Sequence, residues 1–316
     1  MKLIYGMADL LTGKKMNKYP VYIVSKGRWE NPLTAKFMEK DGVNYKIAVE
    51  PQESDNYAKV LGKHRLLILP FSNLGLGSYP ARNECWEDSI KRGAERHWLF
   101  DDNIWNIRRL YKGKRIPVKT EIALKTLEDF TDRYLNIGIS GFNYEMFVTN
   151  STSKPFYLNC HIYSGLLIKN DLPFRWRLKY NEDVDLCLNV LHNGLCTILF
   201  NALMIKKVST VIKMKGGNQS ELYKGNAYEK KVLKARSLEE VWPQYAETIM
   251  RFNRPHHYVD WKKHFKQPLI RDPNFDWDSL SKVNEYGMVL KEIKPVKSEA
   301  LKNIQNQFNN RSENHD

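Results

Sequence analysis

The chain has little cysteine, no long hydrophobic run and no glycine loop of the common nucleotide-binding kinds. Each absence removes a class of protein. Cys85, Cys160, Cys187 and Cys196 have no CxxC spacing, so neither a zinc site nor a disulfide framework is expected, and they read as reduced thiols of a cytoplasmic protein. No apolar run approaches the roughly 18 residues that span a bilayer. Met1-Lys2-Leu3-Ile4-Tyr5 lacks the apolar stretch of a signal peptide. The segment Gly75-Leu76-Gly77-Ser78-Tyr79-Pro80-Ala81-Arg82-Asn83 is glycine-rich, yet it is neither a P-loop nor GxGxxG, because the lysine and the spacing are missing. No internal repeat is visible.

What is present is a globular composition. The 316 residues are 42% hydrophobic and 27% charged, enough for one large domain or two modest ones. Lys and Arg outnumber Asp and Glu by 50 to 36, a formal charge of +14. Such an excess suits a polyanionic partner, whether nucleic acid, an anionic surface or a phosphorylated substrate, although a merely soluble basic protein has the same balance.

The most informative stretch is Trp98-Leu99-Phe100-Asp101-Asp102-Asn103-Ile104. An apolar run ending in acids reads as a buried parallel strand whose carboxyl end opens onto a site. Two adjacent carboxylates repel unless something positive lies between them, and a hard divalent ion, Mg²⁺ or Mn²⁺, suits oxygen ligands there. A solvated turn in which Asp102 or Asn103 caps a helix is the plainer alternative.

Around this stretch the pattern is strand, helix, strand, helix, strand. Tyr19 to Val24 reads as a strand running into Ser25-Lys26-Gly27-Arg28, and Arg28 there suits either a diphosphate or a surface ion pair. Pro32 to Lys40 has helical spacing. Tyr45 to Val49 is a strand ending at Glu50, which can grip a base or ribose or simply start a helix. Gln52 to Val60 reads as a short helix and Leu66 to Pro70 as a third strand. Helices are expected over Asn83 to Arg96, with Arg82 and Asn83 at its anion-favouring start, and over Ile122 to Leu135. Ile104 to Leu110 reads as helix or turn, and Lys112-Gly113-Lys114-Arg115 as a basic loop. Ile137 to Phe142 is a strand in which Gly138 and Gly141 allow close approach of a neighbour. Phe156 to Ile168 reads as one long strand or a bent pair, with His161 either a core histidine or a functional one. Short strands at Thr197 to Phe200 and Leu203 to Ile205 close the apolar part, followed by Lys206, Lys207 and Ser209.

A second acidic cluster, Glu182-Asp183-Val184-Asp185, opens a helix that ends before Gly194. Three acids exceed what the helix dipole requires, and one carboxylate at the rim of a site can serve as general base. Beyond it, Lys213 to Ser220 is a hinge-like loop suited to a lid. Tyr228 to Tyr245 reads as helical. From Arg251 through Arg254, His256, His257 and Lys262 to Phe265, basic residues interleave with aromatics, the composition of a surface that tracks phosphates and stacks bases, or of an aromatic segment packed on the catalytic domain. From Lys291 onward the chain reads as a mobile tail.

In this order, Val24-Ser25-Lys26-Gly27-Arg28, Ala81-Arg82-Asn83, Phe100-Asp101-Asp102-Asn103 and Asn181-Glu182-Asp183-Val184-Asp185-Leu186, the chain resembles a GT-A glycosyltransferase over residues 18–215. The resemblance implies an α/β, Rossmann-like fold with a mixed, mostly parallel sheet flanked by helices, here with a basic, largely helical C-terminal extension. It implies a leader at 1–17, a lid and DNA-contact region at 216–290 and the tail at 291–316. Asp101, Asp102 and Asn103 fall at the family's DxD metal motif, which holds Mn²⁺ or Mg²⁺ against a UDP-sugar. Ser25, Lys26, Arg28, Glu50, Arg82, Asn83 and Lys207 would bind that donor. Glu182-Asp183 resembles the xED motif, whose Asp is the base of inverting members. His161, Asp185, Lys215, Arg251, Arg254, His256, His257 and Lys262 would face the acceptor.

Two departures stand out. Asn103 replaces a second Asp, and Lys206-Lys207-Val208-Ser209 lies where many members place a metal-ligating His. A lysine cannot ligate as ammonium but can bind diphosphate directly. Within the fold, the basic charge and aromatic C-terminus most resemble the phage TET-associated glycosyltransferases, which modify 5-hydroxymethylcytosine in DNA. The resemblance therefore implies DNA as partner and the host cytoplasm as location. The competing readings are a glycosyltransferase for a glycan, lipid or protein, a nucleotidyltransferase, and an idle nucleic-acid-binding module.

Overall fold

The computed structural model describes residues 17–149, 152, 154–208, 214, 216–217, 227–278 and 280. Strands β1 (Val21–Val24), β2 (Lys46–Val49) and β3 (Leu66–Ile68) alternate with helices α1 (Leu33–Lys40) and α2 (Ser54–Leu61). Helix α3 (Tyr79–Lys91) leads into β4 (Arg96–Asp101). There follow β5 (Ile104–Tyr111), β6 (Lys114–Pro117), α4 (Thr120–Thr131), β7 (Ile137–Tyr144), β8 (Phe156–Leu158), β9 (Gly165–Lys169), α5 (Glu182–His192) and β10 (Cys196–Lys207).

These strands form one sheet in the order β3-β2-β1-β4-β9-β7-β10-β5-β6, with β8 also paired to β10. The pairings run β1, β2, β3, β4, β6, β7 and β10 in one direction and β5, β8 and β9 in the other. The α/β architecture with a mixed, mostly parallel sheet is therefore as expected. The carboxyl ends of β1, β2, β4 and β10 open on one edge, where such sheets hold ligands.

The core explains why β4 is fixed so firmly. Trp98 stacks on Phe100 at 5.5 Å and on Phe142 of β7 at 5.3 Å, and all three rings are buried. Trp98 Nε1 donates to the buried Glu128 carboxyl at 2.7 Å. Burying each such ring contributes on the order of 2–3 kcal/mol. The two strand glycines do what was expected of them: a Cβ at Gly141 would run into the Gly165 carbonyl of β9, and one at Gly138 into Val190 of α5.

Several local expectations are corrected. Ile104 to Leu110 is strand β5, not helix or turn. The Lys112-Gly113 turn, with φ of 48° and 72°, closes a β5–β6 hairpin, so what reads as a solvated basic loop is a hairpin turn. The helix expected from Asn83 to Arg96 starts at Tyr79, because Pro80 suits the first helical turn. It stops before Gly93, and Arg96 is buried in β4, donating to Ile137 O at 3.0 Å. The segment Phe156 to Ile168 is two strands separated by a loop with left-handed Asn159 and Ser164, which puts His161 in a loop. The two short strands after Cys196 are one strand, β10, whose pairing with β7 jumps between Phe200 and Met204.

The C-terminal extension contains helix α6 (Ala227–Val241), a hairpin of β11 (Ala246–Arg251) and β12 (Arg254–Val259), and the short helix α7 (Trp261–His264). Phe252 and Asn253 both take positive φ at the hairpin turn. Leu238, Trp242, Ala246, Val259 and Phe265 pack on Val184, Leu188 and Leu191 of α5. The extension is thus anchored to the helix whose first turn carries the second acidic cluster. Among the described residues no helix is long and apolar enough to cross a membrane. The expected leader and tail fall almost wholly outside the described residues, as do Lys215 and most of the lid stretch.

Candidate active site

The two acids at the end of β4 are held by the backbone before any ligand is considered. Thr34 of α1 donates its hydroxyl to Asp101 O at 2.6 Å and accepts from Ile104 N at 3.0 Å, so α1 braces the Asp101–Ile104 turn. Side-chain ion pairs then fix the carboxylates. Asp101 Oδ1 accepts from Arg82 Nη2 at 2.9 Å, and Oδ2 accepts from Ser164 Oγ and Lys207 Nζ, both at 2.7 Å. Asp102 turns the other way, pairing with Arg28 and accepting from Ser25 Oγ at 2.7 Å. Burial alone would raise Asp101, but Lys207 and Arg82 hold it well below the usual carboxylate range. Burial likewise opposes the charge on Lys207, and Asp101 beside it more than restores it, raising the ammonium above its ordinary value.

The expected donor residues therefore converge on this edge, with two exceptions of role. Arg82 is buried, stacks over Trp176 at 4.8 Å and lies 3.7 Å from Glu182. Asn83 does not reach the cleft. Its amide donates to Trp176 O at 2.9 Å and accepts from Trp176 N at 3.1 Å, so it fixes the ring on which Arg82 rests. Glu50 is the second exception: Lys26 Nζ at 2.9 Å, Gln52 and Asn73 N occupy its carboxylate. The loop after β1 is held by Tyr57, which accepts from Arg28 N at 3.1 Å and shares a hydrogen bond with Ser25 at 2.6 Å.

Asn103 does not point at the carboxylate pair's cleft either. Its Nδ2 donates to Val208 O at 2.9 Å while Val208 N donates to Asn103 O at 2.9 Å. This two-way clamp ties the end of β10 to the turn after β4 and sets Lys207 beside Asp101. A divalent ion fits this donor set poorly. Every oxygen of Asp101 and Asp102 already accepts from a cation or hydroxyl. A dication on Asp101 about 4 Å from the Lys207 ammonium would meet roughly 8 kcal/mol of repulsion at an effective dielectric of about 20. Among the described residues no cluster of three His, Cys, Asp or Glu side chains forms a metal-binding set. The carboxylates of Asp101 and Asp102 are thus engaged by internal partners, and Asn103 gives its Nδ2 to Val208 O.

The second acidic cluster splits by face. Glu182 accepts from Ser78 Oγ at 2.7 Å. Asp183 lies 3.0 Å from His161 Nε2, a close contact rather than an aligned hydrogen bond, since that ring nitrogen has no aligned partner among the described residues. Burial would raise Asp183, but the neighbouring His161 ring and the Arg82 guanidinium hold it well below the usual range, whereas burial pushes Glu182 up against the pull of Arg82. Adjacent acids with opposed shifts are the arrangement that separates acid from base roles. Asp185 is corrected outright: it is fully buried, chelated by Arg177 at 2.9 and 3.0 Å, and accepts from Trp242 Nε1 at 2.7 Å. Its helix position turns it into the α5–extension interface, away from any acceptor.

His161 is flanked by the Tyr163 ring at 4.8 Å and a parallel Trp261 ring at 6.2 Å. His257 of β12 lies close enough that burial and the charge of His161 lower it to about 4. Arg251, Arg254, His256 and Lys262 lie farther out on the hairpin and α7, and the Arg251 guanidinium caps the exposed Phe252 ring at 5.3 Å. Sequence reasoning missed Ser164, Tyr144, Tyr163, Trp176 and Trp261. Only the aromatic content of Tyr163-Ser164 and Trp261 hinted at them. Gly217 N donates to Lys26 O at 2.8 Å and Arg28 Nη2 to Gly216 O at 3.2 Å, so part of the lid stretch lies on the loop after β1.

Residues 19–217 match the family described as TET-Associated Glycosyltransferase. No curated protein matches the chain. Among solved structures, a protein assigned as a nucleotide-diphospho-sugar transferase from Desulfovibrio desulfuricans G20 is 12% identical, covering 72% of this chain and 98% of its own, with a TM-score of 0.35.

Proposed function

Because the chain belongs to the TET-associated glycosyltransferase family, and is therefore a glycosyltransferase with a nucleotide-sugar donor, we propose that it transfers a sugar from a UDP-sugar to the hydroxyl of 5-hydroxymethylcytosine in DNA. The observation that carries the reading is Asp183: an ionised carboxylate in the first turn of α5, beside His161, between the cationic cleft at the strand ends and the aromatic, basic extension. The catalytic domain at 18–215 and the DNA-contact region beyond it follow from the same reading.

The donor diphosphate binds among Arg28, Arg82 and Lys207, which offset the charge that develops as it leaves. The bond between the anomeric carbon and the β-phosphate oxygen breaks, and its electron pair departs with UDP. The acceptor oxygen bonds to that carbon from the opposite face, and its proton passes to Asp183, which inverts the centre. His161 orients the Asp183 carboxylate. A base in duplex DNA must leave the stack, at a cost of a few kcal/mol, and Trp261 and Tyr163 offer it apolar faces. As to the Mn²⁺ or Mg²⁺ that the resemblance implies, no step is assigned to it, because the carboxylates are already engaged.

Mass spectrometry of nucleosides from 5-hydroxymethylcytosine DNA, after incubation with a pool of UDP-sugars, tests the reading. A gain of one sugar mass on that nucleoside is expected. UDP release without modified nucleoside would overturn the DNA acceptor and leave a glycosyltransferase for another hydroxyl.

A further inference from the structure

We infer that Lys207 is a built-in cation that takes the place of a divalent metal, so that this enzyme binds its nucleoside diphosphate without one. The inference rests on the donor-site reading above, and deepens it. Its ground is how thoroughly the lysine is placed. The pairing of β10 with β5 shifts between Lys206 and Lys207, a bulge of the kind that re-aims a side chain beside a site. The Asn103–Val208 clamp fixes the chain immediately after it. Its ammonium then donates to Asp101 Oδ2 at 2.7 Å and Ser164 Oγ at 2.6 Å, with Tyr144 OH at 3.3 Å. A flexible lysine held by its backbone and by three oxygens is ordered before the ligand arrives.

The residues that would compete for a metal have other work. Asn103, the third member of the acidic motif, gives its Nδ2 and its backbone carbonyl to holding the strand that carries Lys207. Asp102 is spent on Arg28 and Ser25. What remains at the cleft is Asp101 between two cations, Arg82 and Lys207. This is the charge arrangement of a metal site inverted: the carboxylate positions fixed positive side chains, and these meet the phosphates as point charge and fork. A phosphate oxygen needs only to share the Lys207 ammonium with Asp101, with no dehydration of an ion. The lysine side chain retains 27% exposure, so that face is open to a ligand. Preorganised positive charge also stays in place as negative charge moves onto the leaving diphosphate.

The test is isothermal titration of the full chain with UDP, GDP, CDP, ADP and TDP, each in excess EDTA and in excess MnCl₂. Wild type is expected to bind one of them with Kd equal within about twofold in the two conditions. Lys207→Met should weaken that ligand by about 10- to 100-fold in EDTA, as removal of one charge-assisted hydrogen bond predicts. Lys207→Arg, which keeps the charge, should recover most of it. Circular dichroism and the thermal midpoint show whether each variant is folded, and the Arg variant decides the matter should the Met variant unfold. Binding that disappears in EDTA and returns with Mn²⁺ overturns the inference while leaving the nucleotide-sugar site intact. Metal-independent binding that Lys207→Met does not alter also overturns it. No binding of any diphosphate in either condition overturns both the inference and the donor site on which it rests.

Discussion

The donor edge and the extension differ in how their charges are spent. At the strand ends each cation has an acid: Arg28 with Asp102, Arg82 and Lys207 with Asp101, Lys26 with Glu50. These side chains are largely buried and supported by hydroxyls. On the hairpin and α7, Arg251, Arg254 and Lys262 have no carboxylate within ion-pair reach among the described residues, and Phe252 at the turn is 75% exposed. Buried paired charges are fixed in place and resist salt. Exposed unpaired ones give sequence-tolerant attraction that salt screens. One end is organised for a single defined ligand, the other for a long polyanion.

The comparison breaks most sharply at the junction between the two regions. Asp183→Asn removes the proton acceptor while keeping its shape. Turnover should fall by about 10²- to 10⁴-fold, with nucleotide affinity unchanged by titration. Retained turnover would place the base elsewhere. Next is Arg82→Met, which leaves Asp101 with Lys207 as its one cation among the described residues and removes the cation beside Glu182. A loss of about 100-fold in kcat/KM is expected, expressed mainly through donor binding, and steady-state kinetics at varied UDP-sugar would read it.

Below the donor edge, Glu128 sharpens the contrast through pH. Burial pushes its carboxyl up to about 7, against the pull of the Trp98 hydrogen bond, from an ordinary value of 4.5. The folded state thus keeps a proton that the unfolded chain releases. The stabilisation is complete below 4.5 and is lost as pH rises through about 7, a loss of about 3 kcal/mol over that window. Urea unfolding at pH 5 and pH 8 should show it in wild type and not in Glu128→Gln. The smallest effect is expected on the extension. Arg251→Ala with Arg254→Ala and Lys262→Ala should weaken DNA binding about tenfold and lower the salt slope by roughly one for each phosphate no longer neutralised. Turnover at saturating DNA should not change. A variant that lost activity at saturating DNA would mean that these residues hold the site together rather than the DNA.

The strands that end at the site were legible because an apolar run stopping at Asp101-Asp102 or Ser25-Lys26 marks both burial and exit. Gly138 and Gly141 were legible because a missing Cβ in a strand has few other uses. The failures have a common source. A first-turn cluster such as Glu182-Asp183-Val184-Asp185 shows its charges but not which of them faces inward, and Asp185 is held in the interface with the extension by Arg177 and by Trp242, which lies 57 positions along the chain. Asn103 likewise carries the chemistry of a ligand, yet its amide is claimed by Val208, over a hundred positions away. Strand β5 was missed because its pairing partner, β10, lies as distant, and because Lys112-Gly113 carries a turn signal that its charge conceals.

The contact between Gly216 and the loop at Gly27 has a consequence for how freely the sequence can vary. It is made from main-chain atoms, and a methyl group on Gly216 would strike the Gly27 carbonyl. Its backbone part owes nothing to side-chain identity, with Arg28 Nη2 adding a hydrogen bond to Gly216 O, and no side chain is tolerated at Gly216. Residues nearby can drift as donors change, while the point of closest approach over Arg28 stays where backbone sterics put it. Substitutions aimed at donor preference belong around this seam rather than in it.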